Sequence, residues 1–533
     1  MVFVIGWGIL IPNLAVLTII GFLALLAIFA LIWYKIPGIA IDIFLLSLVG
    51  GLIAAYVQLL FLNGSLFMLT TDTATQIEIS RAMLIVNLLI FLVITLFPLT
   101  LWLVLRKTYV KYEKIVLFMA VLIFGMQTAG LIGTVITTEL PPGVEKDKGY
   151  LIYDPIMELG NEDNIIVFLL DYMDVLYMDE LLDAYPEIYD QLDGFTYYKN
   201  NISEYNATFP TITTMLTNHR YSLGMLFSEY FEDAWANHSA LDDLWEVGYD
   251  INLLIDRYST YWSVTQLEGI VNNTTQADLS ISYPGMSRIM CTISVLRIAP
   301  YIVKNIFIDQ VPIAFGNYLF SIVSPYDVQW PIISPHTDLD FYHHITKNDM
   351  TVIENKKVFN FIHLNFAHFS NEIVYNKETG IIEYGGDRLD SKRANFKMIE
   401  LYLNKMKDKG IFNSATIMII GDHGCHIRHV YDNEAVTTGL LIKQRDATGK
   451  LEIDSVAELT NKYFGASVLE FADLSHENFG ISFFDIINQR TAAPLRQMTV
   501  YLDWWKEDQI DETYAVFEIT GNANDFTNWR RID

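Results

Sequence analysis

The chain has 533 residues, of which 52% are hydrophobic and only 18% charged, and its mean hydropathy of +0.29 is high for a water-soluble protein of this length. The formal net charge of −27 would repel a phosphate backbone and argues against nucleic acid as a partner. Two cysteines, Cys291 and Cys425, allow at most one disulfide, so a disulfide-rich fold is excluded.

The first 140 residues are apolar and nearly neutral, with six basic and five acidic side chains. A helix needs roughly 20 apolar residues to cross a bilayer. Four stretches meet this requirement, at 14–33, 38–62, 82–105 and 115–137. The sequence therefore predicts a transmembrane domain of about four helices over residues 1–140.

The distribution of basic residues predicts the orientation of this domain. The loop at 106–114 is the most basic connection, the first loop carries Lys35, and the loop at 63–80 has no Lys or Arg. The positive-inside rule puts the two basic loops in the cytoplasm and everything after about residue 140 outside. We expect a juxtamembrane linker over 141–160 and one extracellular domain over 161–533. So few cysteines in an oxidising exterior favour a bacterial plasma-membrane protein.

The outer domain shows the pattern of an α/β fold. Continuous apolar runs at 164–170, 359–364 and 415–420 are typical of strands buried on both faces of a parallel sheet. A helix is predicted at 390–409, between the last two runs, with Asp390 as its cap and Gly410 after its end. Its buried face is Phe396, Ile399, Leu403 and Met406. Strand, helix and strand in this order predict a mainly parallel sheet, which binds ligands at the carboxyl ends of its strands.

Ligand-type side chains stand at two of those strand ends. Asp422 and His423 follow the run at 415–420 between two glycines, and Asp171 follows the run at 164–170. Carboxylate and imidazole together suit zinc or manganese better than calcium. Each part of this candidate metal site has a structural alternative. Asp422 and His423 also fit a simple turn, and Asp171 also fits a helix cap.

The segment 206–217, Asn-Ala-Thr-Phe-Pro-Thr-Ile-Thr-Thr-Met-Leu-Thr, supplies a third motif. It aligns without gaps with the Cys-x-Pro-Ser-Arg-x-x-Leu-Leu-Thr segment of sulfatases, and Thr208 stands at the nucleophile position. The run ending in Asp171 is similar to the Asn-apolar-Asp opening strand of that family, and residues 421–424 are similar to its Asp-His-Gly metal motif. In this order the three segments resemble the alkaline phosphatase/sulfatase superfamily, which implies an alkaline phosphatase/sulfatase-like fold.

The differences from the sulfatase pattern indicate which branch of the superfamily the chain resembles. Threonine at position 208 and Ile212 at the position of the sulfatase arginine argue against sulfate-ester hydrolysis. Threonine nucleophiles are typical of the membrane-anchored branch, which comprises lipoteichoic acid synthases, related glycerol-phosphate transferases and lipid A phosphoethanolamine transferases. The strand end at 361–368, with His363 and His368, favours the glycerol-phosphate group. The outer domains of the phosphoethanolamine enzymes are also disulfide-rich, which this domain is not.

The resemblance and the chemistry together imply one divalent metal ion, manganese or zinc and possibly magnesium, held by Asp171, Asp422 and His423. Thr208 would fill the open position of that metal and attack the phosphodiester of a phosphatidylglycerol-like lipid. The acceptor would be a cell-envelope polymer or glycan. Alternatives are a metal-dependent phosphodiesterase or phosphatase with water as acceptor, a phosphoethanolamine transferase, and a non-catalytic surface protein.

Several further residues are candidates for substrate contacts. His368 would stabilise phosphate charge or protonate a leaving group. His363, His426, His429 and Arg257 are candidate phosphate contacts, although the first also fits a buried structural histidine and the next two fit exposed loop histidines.

Two other features have only a structural interpretation. His343 and His344 are predicted to lie on the surface. The apolar segment 290–308 either lies on the outer leaflet of the membrane or forms a core helix of the α/β domain.

Overall fold

The computed structural model describes residues 38–63, 81–105, 149–222, 225–255, 267–276, 278–281, 297–307, 320–323, 335–365, 373–376, 381–384, 388–424, 437–501 and 514–532, together with residues 121, 125, 128 and 295. The chain forms two compact units. One comprises Met1–Lys146 and Leu279–Ile322, and the other comprises Asp147–Asp278 and Val323–Asp533. Apart from three single residues, the predicted spans at 14–33 and 115–137 lie outside the described residues.

Two long apolar helices dominate the described part of the first unit. Helix α1 spans Gly38–Val57 and continues as a π-turn over Gln58–Leu62, and helix α2 spans Arg81–Leu105. Both are long and apolar enough to cross a membrane, and both coincide with predicted spans. Gly50 lets the helices approach closely, because a Cβ there would lie 2.0 Å from the carbonyl oxygen of Thr95.

The second unit contains most of the strands. The strands among the described residues are β1 (Gly149–Leu151), β2 (Glu158–Gly160), β3 (Asp163–Leu170), β4 (Phe195–Ile202), β5 (Tyr249–Leu254), β6 (Thr274–Gln276), β7 (Asp278–Ile281), β8 (Phe320–Val323), β9 (Thr351–Ile353), β10 (Lys357–Leu364), β11 (Ile373–Asn376), β12 (Ile381–Tyr384), β13 (Thr416–Gly421), β14 (Thr437–Lys443), β15 (Glu452–Asp454), β16 (Leu459–Thr460), β17 (Arg496–Tyr501), β18 (Tyr514–Ile519) and β19 (Trp529–Arg531). The remaining α-helices are α3 (Val175–Ala184), α4 (Thr208–Thr217), α5 (Phe227–Ala236), α6 (Ala240–Glu246), α7 (Tyr301–Phe307), α8 (Pro335–Lys347), α9 (Arg388–Asp408), α10 (Phe464–Phe471) and α11 (Phe483–Ile487).

An eight-stranded sheet forms the centre of the second unit, in the order β15-β4-β14-β13-β3-β10-β5, with β16 beside β4. The pairings β13–β3, β3–β10 and β10–β5 are parallel, and β14 is antiparallel to both of its neighbours. The sheet is therefore mainly parallel, as predicted. A smaller antiparallel sheet, β17-β18-β19, follows at the end of the chain.

Hydrophobic cores cover both faces of this sheet. Along β3, Ile166, Phe168 and Leu170 belong to one core, which helices α3, α8 and α9 complete. The alternate residues of the same strand belong to the other core, completed by α4, α6, α10 and α11. All eight residues of β3 are buried, which explains why its sequence is a continuous apolar run without alternation.

The predicted strands at 164–170, 359–364 and 415–420 and the predicted helix at 390–409 correspond to β3, β10, β13 and α9. The prediction of Asp390 as the helix cap is wrong. Helix α9 begins at Arg388, and Asp390 lies in its first turn, where its carboxylate accepts a hydrogen bond of 2.6 Å from the Tyr185 hydroxyl.

The prediction that His344 lies on the surface is also wrong, because only 2% of it is exposed. Its ring nitrogen Nδ1 lies 3.0 Å from Nδ2 of Asn348, four residues further along the chain. His343, the neighbouring residue, is exposed as predicted.

Candidate active site

The carboxyl ends of β3 and β13 lie side by side at one edge of the central sheet. Gly421 is in register with Leu170, and the backbone amide of Asp422 donates to the Leu170 carbonyl at 3.2 Å. Asp171 follows the last residue of β3, and its backbone amide donates to the carbonyl of Leu364 at the end of β10. Parallel pairing thus brings Asp171 and Asp422 together, although their residue numbers differ by 251 (422 − 171).

Gly421 is required by a close backbone approach at this edge. A Cβ on this residue would lie 2.3 Å from the carbonyl oxygen of Met173, and relieving that clash would require the backbone to shift. The glycine therefore lets the turn after β3 pack directly over the end of β13.

Three buried side chains converge at the same place. One ligand atom from each of Asp171, Asp422 and His423 lies within 4.8 Å of the other two. His423 Nε2 is 3.7 Å from Asp171 Oδ1 and 3.4 Å from Asp422 Oδ2. The exposed fraction of Asp171 is 3%, and that of the other two is 0%.

The tautomer of His423 follows from its second ring nitrogen. Nδ1 lies 2.7 Å from the carbonyl oxygen of Gly424. A carbonyl oxygen only accepts hydrogen bonds, so Nδ1 carries the proton. Nε2 is the nitrogen that faces the two carboxylates, and in the neutral imidazole its lone pair is available to a metal ion there.

Thr208 is the fourth residue at this site. It is the first residue of α4, with Ala207 as the N-cap. Its Oγ1 lies 3.2 Å from His423 Nε2. The hydroxyl thus lies at a helix N-terminus, where backbone amides favour negative charge.

The electrostatics of the site favour a bound cation. Burial raises the pKa of the Asp422 carboxyl, whereas the charge of His363 and the hydrogen bonds from the Tyr172 and His423 amides and the Thr208 hydroxyl lower it. Two buried carboxylates side by side are costly unless a cation compensates them.

Two carboxylates and a neutral imidazole match the donors that zinc and manganese prefer. Asp171, Asp422 and His423 therefore fit a single divalent ion, and Thr208 stands beside the same position. The predicted set thus comes together as one cluster.

The sequence did not reveal the residues that support this cluster. Tyr172 has a left-handed backbone, with φ of 60°, and its amide donates to Asp422 Oδ1 at 2.9 Å. Lys392, which is fully buried, donates from Nζ to the Tyr172 carbonyl at 2.8 Å. A sequence signal for this lysine exists, since residue 392 lies four positions before Phe396 on the apolar stripe of α9, where a charge is unexpected.

Asn461 supports the other strand end in the same way. Its Nδ2 donates to the carbonyls of Gly421 at 3.0 Å and Asp422 at 3.3 Å. Its Oδ1 accepts from Asn201 Nδ2 at 2.8 Å, and the same amide donates to Thr438 Oγ1 at 2.6 Å. No local pattern marks these asparagines, because they meet only through pairing of distant strands.

The other predicted site residues divide into two groups. His363 lies one residue before the end of β10, in register with Leu169, and 2% of it is exposed. It influences the Asp422 carboxyl, as described above. His368, Arg257, His426 and His429 lie outside the described residues, and their roles stay predictions.

No family model and no curated protein sequence matches the chain. Solved structures do match it. The chain is similar to members of the alkaline phosphatase superfamily. One is a protein of that superfamily from Vibrio parahaemolyticus, at 11% identity and a TM-score of 0.35, with 72% of this chain and 84% of the other covered.

Two further matches have names that describe an activity or a domain. Lipoteichoic acid synthase LtaP from Listeria monocytogenes matches at 10% identity and a TM-score of 0.36, covering 67% of this chain and 85% of its own. The C-terminal periplasmic domain of EptC from Escherichia coli, in complex with zinc, matches at 11% identity and a TM-score of 0.35, covering 64% and 90%. Similarity at this level is compatible with many activities.

Proposed function

We propose that this protein is a membrane-bound, metal-dependent phosphotransferase. It would move the headgroup of a phospholipid, glycerol phosphate, from a phosphatidylglycerol-like donor through Thr208 onto a cell-envelope polymer or glycan. The observation that carries the proposal is the hydroxyl of Thr208 at the N-terminus of α4, 3.2 Å from His423 Nε2 and beside two buried carboxylates.

A divalent ion held by Asp171, Asp422 and His423 would supply Lewis acidity, lowering the pKa of a neighbouring hydroxyl and compensating phosphate charge. The rest of the chemistry belongs to the chain. The N-terminal amides of α4 favour an anionic phosphate group. The Nδ1 contact with Gly424 keeps the His423 ring oriented with Nε2 toward the site.

The proposed reaction has two displacements at phosphorus. In the first, Thr208 Oγ1 forms a bond to phosphorus and releases its proton to solvent, and the bond to the diacylglycerol oxygen breaks. That oxygen takes up a proton, for which we predict His368 as the donor. Glycerol phosphate is then esterified to Thr208. In the second displacement an acceptor hydroxyl attacks the same phosphorus and releases its proton to solvent, and the Thr208 oxygen leaves and takes up a proton.

A threonine nucleophile supports phosphoryl over sulfate-ester chemistry. If the resemblance to sulfatases extended to their activity, position 208 would have to be a cysteine or serine that is converted to formylglycine. A threonine cannot give that aldehyde. A lipid donor is supported by the two helices of the same chain that are long and apolar enough to cross a membrane.

The test uses the purified full chain in vesicles that contain phosphatidylglycerol labelled in its headgroup. Release of diacylglycerol, together with mass-spectrometric detection of glycerol phosphate on the peptide that contains Thr208, would support the first displacement. Thr208→Ser keeps a hydroxyl and is the matched control for Thr208→Ala. Label on an added glycan acceptor indicates transfer, whereas free glycerol phosphate alone indicates the hydrolase. Diacylglycerol release that survives Thr208→Ala would contradict the proposal.

A further inference from the structure

The segment around α7 has the opposite polarity to that of a helix on a water-soluble protein. Apart from Arg297 at its start, the exposed side chains described in this segment are apolar, since Ile298 is 41% exposed and Ile302 is 48% exposed. Lys304 and Tyr301 are buried instead, at 3% and 5% exposure. In water this arrangement is unfavourable on both counts, because apolar surface stays hydrated while a charge is desolvated.

The buried polar groups of this segment bond to the adjoining ends of α1 and α2. Asn63 Nδ2 donates to the Arg297 carbonyl at 2.9 Å, and the Tyr301 amide donates to Asn87 Oδ1 at 2.8 Å. Lys304 Nζ donates to Asn63 Oδ1, and the Tyr301 hydroxyl donates to the Leu62 carbonyl.

The helix ends are connected to each other by the same kind of contact. Gln58 Nε2 donates to Asn63 Oδ1 at 2.9 Å, and Asn87 Nδ2 donates to Gln58 Oε1 at 2.8 Å. Buried amide hydrogen bonds between apolar helices commonly stabilise membrane-embedded helix bundles.

The apolar surface of the segment belongs to the same unit as the apolar faces of the two helices. Phe61 is 74% exposed, Ile85 is 60% exposed and Val86 is 55% exposed. In sequence, however, the segment lies far from these helices. It is part of Leu279–Ile322, which interrupts the second unit and is flanked by the paired strands β7 and β8.

We propose that residues 297–307 are a membrane-embedded element of this chain, whose outward face contacts the acyl chains of the bilayer. Polar groups turned inward and bonded to one another, with apolar groups turned outward, are what a hydrocarbon solvent requires. The catalytic unit is then tied to the membrane at this insertion as well as at the linker before β1. Arg297 is exposed beside Ile298, and a guanidinium at the edge of such an element suits the level of the phospholipid phosphates.

The inference shares with the proposed function only the membrane location, and it does not depend on Thr208. Its test is a spin-label measurement on the full chain in lipid vesicles, with Cys291→Ser and Cys425→Ser as the background. Nitroxides are placed singly through Ile302→Cys, through Phe61→Cys as the lipid reference, and through Val456→Cys as the water reference. Residue 456 is 83% exposed and lies in the second unit.

We expect the label at 302 to collide readily with dissolved oxygen and to lose collisions with a water-soluble nickel chelate, as the label at 61 does. A label at 302 that collides with the nickel chelate as often as the label at 456 overturns the proposal. If the label at 61 also behaves as in water, the membrane location itself is wrong, and both proposals fail together.

A functional comparison separates the two proposals. Ile302→Glu should lower turnover of phosphatidylglycerol in vesicles several-fold and leave turnover of a soluble chromogenic phosphodiester unchanged, with Ile302→Leu as the matched control. Equal vesicle turnover by the glutamate and leucine variants contradicts the inference. Absence of phosphodiester turnover by the unmodified chain contradicts the proposed function, and the spin-label result still decides the inference.

Discussion

The hydroxyl oxygen of Thr208 lies 3.2 Å from Nε2 of His423, although 215 residues separate the two in the chain. The hydroxyl begins a helix and the imidazole follows a central strand. Each alone has ordinary structural explanations, and their contact beside two buried carboxylates is what gives the site its chemistry.

Replacing Thr208 by alanine should abolish headgroup transfer, with a loss of at least about a thousandfold, as removal of a covalent nucleophile usually gives. Metal affinity should change little, because both carboxylates and the imidazole remain. Turnover and metal binding by calorimetry are measured on the same sample. Loss of metal binding equal to the loss of turnover would instead make Thr208 a structural residue.

Replacing Lys392 by methionine should weaken metal binding about 10- to 100-fold, the usual effect of removing an outer contact of a metal site. The substitution keeps the length of the side chain but removes the hydrogen bond to the Tyr172 carbonyl, so the turn that carries Asp171 loses a support. Competition with a fluorescent chelator measures the affinity, and the visible spectrum of the cobalt form reports the ligand geometry.

Lys397→Met is the control for this substitution, because Lys397 lies on the same helix and pairs with Glu400 at 2.8 Å. Equal affinities of the two variants would show that Lys392 does not position the site.

Replacing Gly421 by alanine should destabilise the protein by about 1–3 kcal/mol, the usual cost of overpacking, and should lower metal affinity as well. The new Cβ would lie 2.3 Å from the carbonyl oxygen of Met173, so the end of β13 and the turn after β3 must separate. Gly465→Ala is the matched control, since residue 465 lies within α10, its added Cβ would come no closer than 3.7 Å to another atom, Ala240 Cβ, and alanine favours a helix. Urea denaturation should show a loss for the first variant only.

The stabilisation by metal should depend on pH in a defined direction. Burial raises the pKa of the Asp422 carboxyl, whereas an unfolded aspartate titrates at about 3.9. Between these two pKa values the folded metal-free protein holds more protons than the unfolded chain. Its free energy of unfolding therefore falls as the pH rises through that window.

A divalent ion replaces this proton, so the increase in Tm that manganese or zinc gives should grow as the pH rises through the same window. Thermal unfolding with a chelator and with metal, compared at each pH, measures the difference. Asp422→Asn should remove most of the metal-dependent increase. An increase in Tm that shrinks toward higher pH would contradict the assignment.

Local sequence determined four elements at the centre of the α/β domain, the strands β3, β10 and β13 and the helix α9. A strand buried on both faces needs only a short continuous apolar run, which is why β3, β10 and β13 were predictable. A helix with one buried face repeats its apolar residues at a fixed spacing, which is why α9 was predictable from Phe396 to Met406. The motifs around Asp171 and Asp422 could be identified for a similar reason, since each is a short segment of ligand-type side chains at a strand end. Thr208 was predicted from the resemblance of its segment to that of the sulfatases.

Tertiary structure alone decided how these segments meet. The parallel pairing of β3 with β13 puts Asp171 beside Asp422, and the Gly424 carbonyl fixes which nitrogen of His423 faces them. Lys392, Asn201 and Asn461 support the site through contacts between residues far apart in the chain, which leave no pattern in any one segment. The same holds for Lys304. In the sequence this lysine interrupts an apolar segment, and only its hydrogen bond to Asn63 shows that its side chain faces inward. Sequence specifies what each segment can form, but only the folded chain sets the distances on which chemistry depends.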